Sequence, residues 1–205
     1  MESKGIFAKG ILCHHYNSFY SNFRANESLS SFLKKHDVMG LCEIDTRGIT
    51  QTLRKQGAMM MVASTEISDK EELKKILESS PRIEEINYIQ EVSTKESYPH
   101  NEGRFDFSTM DFSRPKTNQT ILAIDFGIKK SILRELVNAG FNVKVIPHNF
   151  DAKALIAQYQ NKEFDGIFLS NGPGDPQVLT KEIAEIKKLI EAKIPLFAIC
   201  LGHQL

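Results

Sequence analysis

GIFLSNGPGDP, at residues 166–176, decides the fold class, because a short continuous apolar run passes directly into a loop with two glycines and two prolines. A run of this length, bounded by turn-forming residues, is typical of a buried strand. Strands that alternate with helices at the observed spacing predict β-α-β units, and therefore an α/β fold with a parallel sheet and helices on both faces. Similar runs lie at 121–124, 143–147 and 195–199, and the segments between them predict helices through Val137, over 152–159 and over 181–191.

The loops after strands three and four form the candidate site, because chemistry in parallel sheets collects where the strands end. The glycines at 170–176 allow positive φ and a close approach of a ligand to backbone N–H groups. FAICLGHQ, residues 197–204, follows strand four and predicts Cys200 on a sharp strand-to-helix turn. The N-terminus of the next helix would favour a thiolate and offer N–H groups to a developing oxyanion. Taken alone, the first loop could equally be a tight surface turn. The second could be a buried cysteine at a strand end, followed by the start of a helix.

The composition gives no sign of a polyanion-binding or membrane protein. Lys plus Arg and Asp plus Glu number 26 each among 205 residues, so no broad attraction to nucleic acid or anionic lipid is expected. No apolar run approaches the roughly 18 residues of a membrane helix, and residues 1–5 lack the apolar stretch of a signal peptide. The three cysteines form no C-x-x-C pair, which argues against a metal site, and their odd number suggests reduced thiols in the cytoplasm. Cys13 and Cys42 are predicted to be buried structural residues.

Two domains are predicted, at residues 1–118 and 119–205. The segment 93–118 is rich in turn-forming residues and is interpreted as a linker, and its three phenylalanines suggest that it packs on a domain surface. The first domain mixes helices with a strand. Its helices are predicted after Asn26, over 47–56 and from a capping box at Ser68 through Glu78, and its buried strand over 58–64.

The two loops together closely resemble those of the triad-type glutamine amidotransferases. Within that family, NGPGDP at 171–176 is similar to the small subunits of carbamoyl phosphate synthetase, as is DFGIK at 125–129. SNFR at 21–24 and IDTR at 44–47 resemble the separate N-terminal domain of those subunits. The resemblance covers essentially the whole chain. It implies a flavodoxin-like parallel sheet, preceded by a smaller mixed α/β N-terminal domain.

The resemblance also implies roles for individual residues. Cys200 would be the nucleophile that attacks the side-chain amide of glutamine, and backbone N–H groups at Gly172 and Leu201 would form the oxyanion hole. Gly174, Leu201 and Gln204 would help to hold the glutamine. The ammonia would pass through a channel to a large partner subunit, where it would react with bicarbonate activated by ATP and Mg²⁺. The chain has no P-loop or other nucleotide signature, so ATP and Mg²⁺ are assigned to that partner and no cofactor to this chain.

The sequence departs from the family in three ways. Ala198 stands where the family usually has glycine. The histidine and glutamate that the family supplies as the base are expected beyond Leu205, since His203 is expected to pack structurally and His148 to be a solvated loop residue. An opening segment that adds a glutamine-binding serine also has no counterpart. The 205 residues are therefore interpreted as an internal fragment that is inactive alone.

Two other functions stay open. The first is a non-catalytic binding or regulatory domain on the amidotransferase scaffold, against which the presence of Cys200, Gly172, Gly174 and Gln204 argues. The second is an amidotransferase that feeds another synthase, which the similarity of the first 92 residues disfavours.

Overall fold

The computed structural model describes residues 6–22, 25–114 and 117–205, which form two compact units. The first unit ends at Ser80, and the second runs from Pro81 to Leu205. Both predicted site loops lie in the second unit. Phe23 and Arg24, which carry part of one family resemblance, lie outside the described residues.

The described residues of the first unit form two short strands and three helices. Strands β1 (Gly10–Leu12) and β2 (Met39–Leu41) are parallel, with Gly10 opposite Met39. The helices are α1 (Leu29–Lys35), α2 (Thr46–Gln56) and α3 (Lys70–Ser79), and none has a fully buried residue.

The side chains that cap the helices of the first unit explain where those helices begin. The Ser28 hydroxyl accepts the backbone N–H of Ser31 at the start of α1, so the cap is Ser28 and not Asn26. Asp69 caps α3 by accepting the N–H of Glu71, in place of the predicted capping box at Ser68. Each cap satisfies a backbone donor that the first helical turn leaves without a partner.

Two predictions for the first unit are wrong. Residues 58–64 form no strand, and Met59 and Met61 are 53% and 62% exposed. The apolar run lacks a neighbouring strand to supply hydrogen-bond partners, and composition alone cannot provide one. Cys42 is exposed and Cys13 only half-buried, because both follow the ends of a two-stranded sheet that little else covers.

The second unit is built on a five-stranded sheet in the order β3-β7-β6-β8-β9. Its strands are β3 (Tyr98–His100), β6 (Thr120–Asp125), β7 (Asn142–Pro147), β8 (Gly166–Leu169) and β9 (Leu196–Ala198). The last four are parallel, and β3 runs antiparallel to β7 at one edge. The prediction of an α/β fold is confirmed, and the sheet, which was predicted to be parallel, is mainly parallel with one antiparallel edge strand.

Helices cover both faces of this sheet. The helices are α4 (Ile89–Val92), α5 (Lys130–Asn138), α6 (Ala152–Gln160), α7 (Thr180–Glu191) and α8 (Leu201–Gln204). On one face, Leu155 of α6 and Leu189 of α7 pack on alternate strand residues that include Ile124. On the other face, Leu133 of α5 packs on the intervening residues of the strands, such as Ala123. Both faces are buried, which explains why the strands are continuous apolar runs rather than alternating ones.

The segment predicted as a linker, 93–118, contains three short strands. Its start supplies the edge strand β3, and residues 105–112 form an antiparallel hairpin of β4 (Phe105–Asp106) and β5 (Asp111–Phe112). The guanidinium of Arg134, on α5, lies 4.0 Å from the centre of the Phe112 ring. The compact units therefore divide at Pro81, upstream of the predicted boundary near residue 118, because this segment packs with the residues that follow it.

Within the described part of the chain, no helix combines the length and the apolar character needed to cross a lipid bilayer.

Candidate active site

Cys200 lies at a sharp turn between β9 and α8, and its thiol is exposed. Its φ of 50° and ψ of −121° are unusual for a residue with a side chain, and such strain persists only where the surroundings impose it. The carbonyl oxygen of Cys200 accepts hydrogen bonds from the N–H groups of His203 at 3.0 Å and Gln204 at 3.2 Å. The turn therefore presents the thiol at the edge of the sheet where the parallel strands end.

Close packing of Gly202 on β8 holds the turn in place. A Cβ atom on Gly202 would lie 2.6 Å from the carbonyl oxygen of Leu169, a distance that real Cβ atoms essentially never show. The N–H of Gly202 donates to the carbonyl of Ser170 at 3.0 Å, and the N–H of Ile199 donates to the carbonyl of Leu169 at 3.2 Å. Only glycine fits at position 202 without displacing the backbone of β8.

The loop after β8 meets the first residue of α8. A Cβ atom on Gly172 would lie 2.7 Å from Cδ2 of Leu201 and 2.3 Å from the carbonyl oxygen of Phe126. The N–H groups of Gly172 and Leu201 donate no hydrogen bond to an acceptor among the described residues. Two backbone donors beside the cysteine turn thus have no protein partner within that part of the chain, and donors of this kind suit a developing negative charge.

Gly174 and Gln204, the other predicted substrate-binding residues, flank these groups in sequence. Gly174 has a φ of 93°, and the atoms nearest to a Cβ there would be Cδ2 of Tyr88 at 3.8 Å and the carbonyl oxygen of Ile86 at 4.0 Å. Gln204 is exposed in the last turn of α8. The structure thus brings Gly172 and Leu201 together, and leaves room around Gly174.

A buried carboxylate organises the neighbouring loop, which links β6 to α5. The carboxylate of Asp125 is 5% exposed and accepts hydrogen bonds from three backbone N–H groups, those of Thr94, Gly127 and Ile128, each at 2.8 Å. Sequence reasoning identified Asp125 only through its resemblance to the family. Asp125 is a polar residue at the end of an otherwise apolar strand, and this pattern could have indicated its structural role.

The side chains of Ser170 and Asn171 join this loop to the loop of Gly172. The amide of Asn171 donates to the carbonyl of Gly127 at 3.0 Å and accepts the N–H of Lys129 at 3.3 Å. Ser170 is fully buried, and its hydroxyl accepts the N–H of Phe126 at 2.9 Å. Neither side chain was predicted to have a role.

Two protein-family models match separate parts of the chain. The family model described as carbamoyl-phosphate synthase small chain, CPSase domain, matches residues 1–63, and the model described as glutamine amidotransferase class-I matches residues 122–205. A carbamoyl phosphate synthase small chain from Helicobacter hepaticus is 50% identical over all 205 residues, and one from Campylobacter jejuni is 51% identical over the same span. The chain belongs to the carbamoyl phosphate synthase small chain family.

The family similarity extends beyond these two bacteria. A small chain from Synechocystis is 39% identical over 206 aligned residues, which cover 99% of this chain. The chain spans about half the length of the curated relatives it matches, namely 54%, 55% and 53% of these three. Both site loops lie inside the residues that match the glutamine amidotransferase model.

The histidines of the second unit differ from the predictions made for them. The side chain of His148 is only 13% exposed, and its Nδ1 lies 2.8 Å from Oε1 of Glu182, so it is a partly buried, paired residue rather than a solvated one. His203, predicted to pack structurally, is exposed. Sequence could not pair His148 with Glu182, because the two residues are 34 positions apart and meet only through the fold.

His148 is not placed to act on Cys200. It follows β7, and β6 and β8 lie between β7 and the strand that leads to Cys200. Three strand spacings amount to roughly 14 Å, far beyond a hydrogen bond. His100 ends β3, which lies one strand further away. No group of three or more metal-binding side chains occurs among the residues with described positions.

Proposed function

We propose that these residues belong to the glutamine-hydrolysing subunit of a carbamoyl phosphate synthase. The observation that carries the proposal is the exposed Cys200 on a strained turn. The side chain of the next residue, Leu201, packs against Gly172, and the backbone N–H groups of both residues have no acceptor among the described residues. The names of the relatives, which are small chains of that synthase, support the proposal. So does the match of residues 122–205 to the glutamine amidotransferase model.

In the proposed reaction, the Cys200 thiolate attacks the side-chain carbonyl carbon of glutamine. Negative charge moves to the carbonyl oxygen, where the N–H groups of Gly172 and Leu201 stabilise it. The tetrahedral adduct collapses, the C–N bond breaks, and ammonia leaves after it takes a proton from a general acid. Water then hydrolyses the γ-glutamyl thioester to glutamate and restores the thiol. Gly174, Leu201 and Gln204 are proposed to hold the glutamine.

The general acid and base are assigned to a histidine oriented by a glutamate, as the family resemblance implies. Ammonia is a poor leaving group without a proton, so the thiolate alone is insufficient. The His148–Glu182 pair does not suit this task, because three strand spacings separate it from Cys200. The proposed histidine and glutamate are therefore distinct from His148 and Glu182.

The finer fold assignment also belongs to the proposal. The four parallel strands, numbered in chain order, follow one another across the sheet as 2-1-3-4, the beginning of the flavodoxin-like order. This order supports a flavodoxin-like, triad-type amidotransferase domain over 119–205. A separate N-terminal domain is proposed from the family match at residues 1–63.

A large synthetase subunit is the proposed partner, since the relatives are named small chains. Ammonia would pass to that subunit and react there with bicarbonate activated by ATP and Mg²⁺, which this chain is not proposed to bind. We also propose a cytoplasmic location, because all three cysteines are free thiols.

Trapping of the covalent intermediate tests the proposal. The complete polypeptide that contains these residues would be mixed with isotopically labelled glutamine, quenched in acid and digested. Label should appear on the peptide that contains Cys200 and be absent from the Cys200→Ala variant. Label elsewhere, or none under conditions of turnover, would refute the nucleophile assignment. A non-catalytic scaffold would leave no label at all.

A further inference from the structure

We propose that Ser170 is a positioning residue, which fixes the orientation of the peptide whose N–H serves the oxyanion. This inference rests on the proposed function and adds to it a residue that touches neither substrate nor thiol. The peptide in question joins Asn171 to Gly172. Its N–H is the one assigned to the oxyanion hole, and its C=O belongs to Asn171.

The partners of the Ser170 hydroxyl determine which hydrogen bond it donates and which it accepts. The hydroxyl donates to the carbonyl oxygen of Asn171 at 2.8 Å, because a carbonyl can only accept. It accepts the backbone N–H of Phe126 at 2.9 Å, because that group can only donate. Ser170 is 0% exposed, so water cannot replace either bond from the surface.

A hydrogen bond to the Asn171 carbonyl also fixes the Gly172 N–H. The peptide unit is planar and trans, so its C=O and N–H point in opposite directions and rotate together. While the hydroxyl holds the carbonyl on the inner side of the loop, the N–H of Gly172 faces the other way. A rotation of this peptide would turn the carbonyl oxygen towards the place where the negative charge develops.

The anchor that Ser170 uses is itself rigid. Phe126 follows Asp125, whose carboxylate holds the next two backbone N–H groups along the chain, those of Gly127 and Ile128. Phe126 is also fully buried. Through its two hydrogen bonds, Ser170 therefore fixes the peptide between Asn171 and Gly172 relative to this rigid loop.

Loss of the hydroxyl should affect the transition state more than substrate binding. Charge on the substrate oxygen appears only as the thiolate adds, so a misoriented N–H lowers kcat and leaves KM for glutamine nearly unchanged. Removal of an oxyanion donor typically lowers kcat by about 10²–10³-fold. Ser170→Ala loosens the donor without removing it, so a loss of about 10- to 100-fold in kcat is expected.

Ser93 provides a matched control within the same unit. Its buried hydroxyl also donates to the carbonyl of the next residue, Thr94, at 3.3 Å, and accepts a backbone N–H from a strand end, that of His148, at 3.2 Å. Ser93→Ala therefore removes the same two kinds of bond at a place with no part in the proposed reaction. A general loss of stability should be similar in the two variants, whereas a positioning effect should be confined to Ser170.

The test compares Ser170→Ala, Ser170→Cys and Ser93→Ala in the complete polypeptide, assayed for glutaminase kcat and KM. A second readout is inhibition by the γ-aldehyde analogue of glutamine, which forms a tetrahedral adduct with a thiol. Alkylation of Cys200 by iodoacetamide controls for the thiol. Ser170→Ala should lose kcat and aldehyde affinity by similar factors, with the alkylation rate unchanged and Ser93→Ala close to wild type. Ser170→Cys, which retains a weaker donor, should fall in between.

Three outcomes would overturn the positioning role. They are equal kcat in Ser170→Ala and Ser93→Ala, an unchanged kcat in Ser170→Cys, or a parallel loss of kcat and alkylation rate. If Ser170→Ala does not fold, the kcat and aldehyde affinity of Ser170→Cys decide alone. A Cys200→Ser variant that kept its glutaminase activity would instead refute the proposed function, which separates the two failures.

Discussion

At the scale of single residues, the site depends on positions where a side chain is excluded. Gly202 lies against the backbone of β8, so the turn of Cys200 and the loop after β8 can approach only if position 202 has no Cβ. Sequence reasoning did not anticipate the role of the Ser170 hydroxyl, because the direction of this buried O–H depends in part on the backbone N–H of Phe126, 44 residues earlier in the chain.

Gly202→Ala should lower the free energy of unfolding by about 1–3 kcal/mol, because overpacking against backbone atoms cannot be relieved by a rotamer change. It should also change the rate at which iodoacetamide alkylates Cys200. Chemical denaturation of Gly202→Ala and of the wild type measures the difference. A Gly202→Ala protein with wild-type stability and alkylation rate would contradict the packing described.

His100 should make the second unit less stable in acid. Burial lowers the pKa of His100 below its ordinary value of 6.5, and this effect outweighs the opposing influence of the Glu102 carbonyl and carboxylate. The unfolded chain then binds a proton more readily than the folded one. Stability should therefore be retained above pH 6.5 and fall as the pH drops below that value.

His100→Gln tests this dependence, because its side-chain amide can still donate to the carbonyl of Glu102, as Nε2 of His100 does at 3.0 Å. Free energies of unfolding would be measured between pH 7.5 and pH 5.5. The variant should lose less stability across this interval than the wild type. Equal slopes would show that His100 is not the titrating group.

At the scale of elements, the loop between β6 and α5 depends on one carboxylate. Asp125→Ala would leave three backbone N–H groups near the core without their acceptor, and each buried unsatisfied group costs about 1–3 kcal/mol. Some relaxation towards water is expected, so the loss should be about 2–5 kcal/mol in total. Asp151→Ala is the control. Asp151 caps α6 by accepting one exposed N–H, that of Lys153, and its loss should cost about 1 kcal/mol.

The measurement is chemical denaturation of Asp125→Ala and Asp151→Ala under the same conditions. A loss in Asp125→Ala no larger than in Asp151→Ala would mean that the three hydrogen bonds do not hold this loop.

The elements that sequence predicted well are those with a local signal. The bounds of strand β8 were predicted correctly, and those of α6 to within one residue. In both cases turn-forming residues on either side mark where the element begins and ends. Strand β3 was missed, since Pro99 in its centre is typical of non-strand segments. Proline is tolerated there because β3 is an edge strand, paired only with β7.

At the scale of the whole molecule, the two units differ in what local sequence could reveal. The second unit has its own core on both faces of a sheet, so periodicity and loop chemistry predicted its architecture. None of the helices α1, α2 and α3 in the first unit has a fully buried residue, and residues 58–64, predicted as a strand, do not pair with another strand. Apolar content alone therefore predicted a strand that does not form, because strand pairing and burial depend on neighbouring elements that the local sequence does not show.

The 205-residue chain by itself should release ammonia from glutamine only at background rate. General acid–base assistance is typically worth about 10²–10⁴-fold, and neither His148 nor His100 lies near Cys200. Purified protein would be assayed for ammonia, with Cys200→Ala as the blank. Turnover well above the blank would show that a histidine within these residues, with His203 the nearest in sequence, acts as the base.

The most direct test of the central claim uses two sources of nitrogen. The complete polypeptide, wild type or Cys200→Ser, would be combined with the synthetase subunit, and carbamoyl phosphate formation measured with glutamine and, separately, with ammonium salt. Only the glutaminase step uses the thiol, so Cys200→Ser should abolish synthesis from glutamine and leave synthesis from ammonia at the wild-type rate. Equal loss of both activities, or retention of glutamine-dependent synthesis, would contradict the role of Cys200 as the nucleophile that releases ammonia.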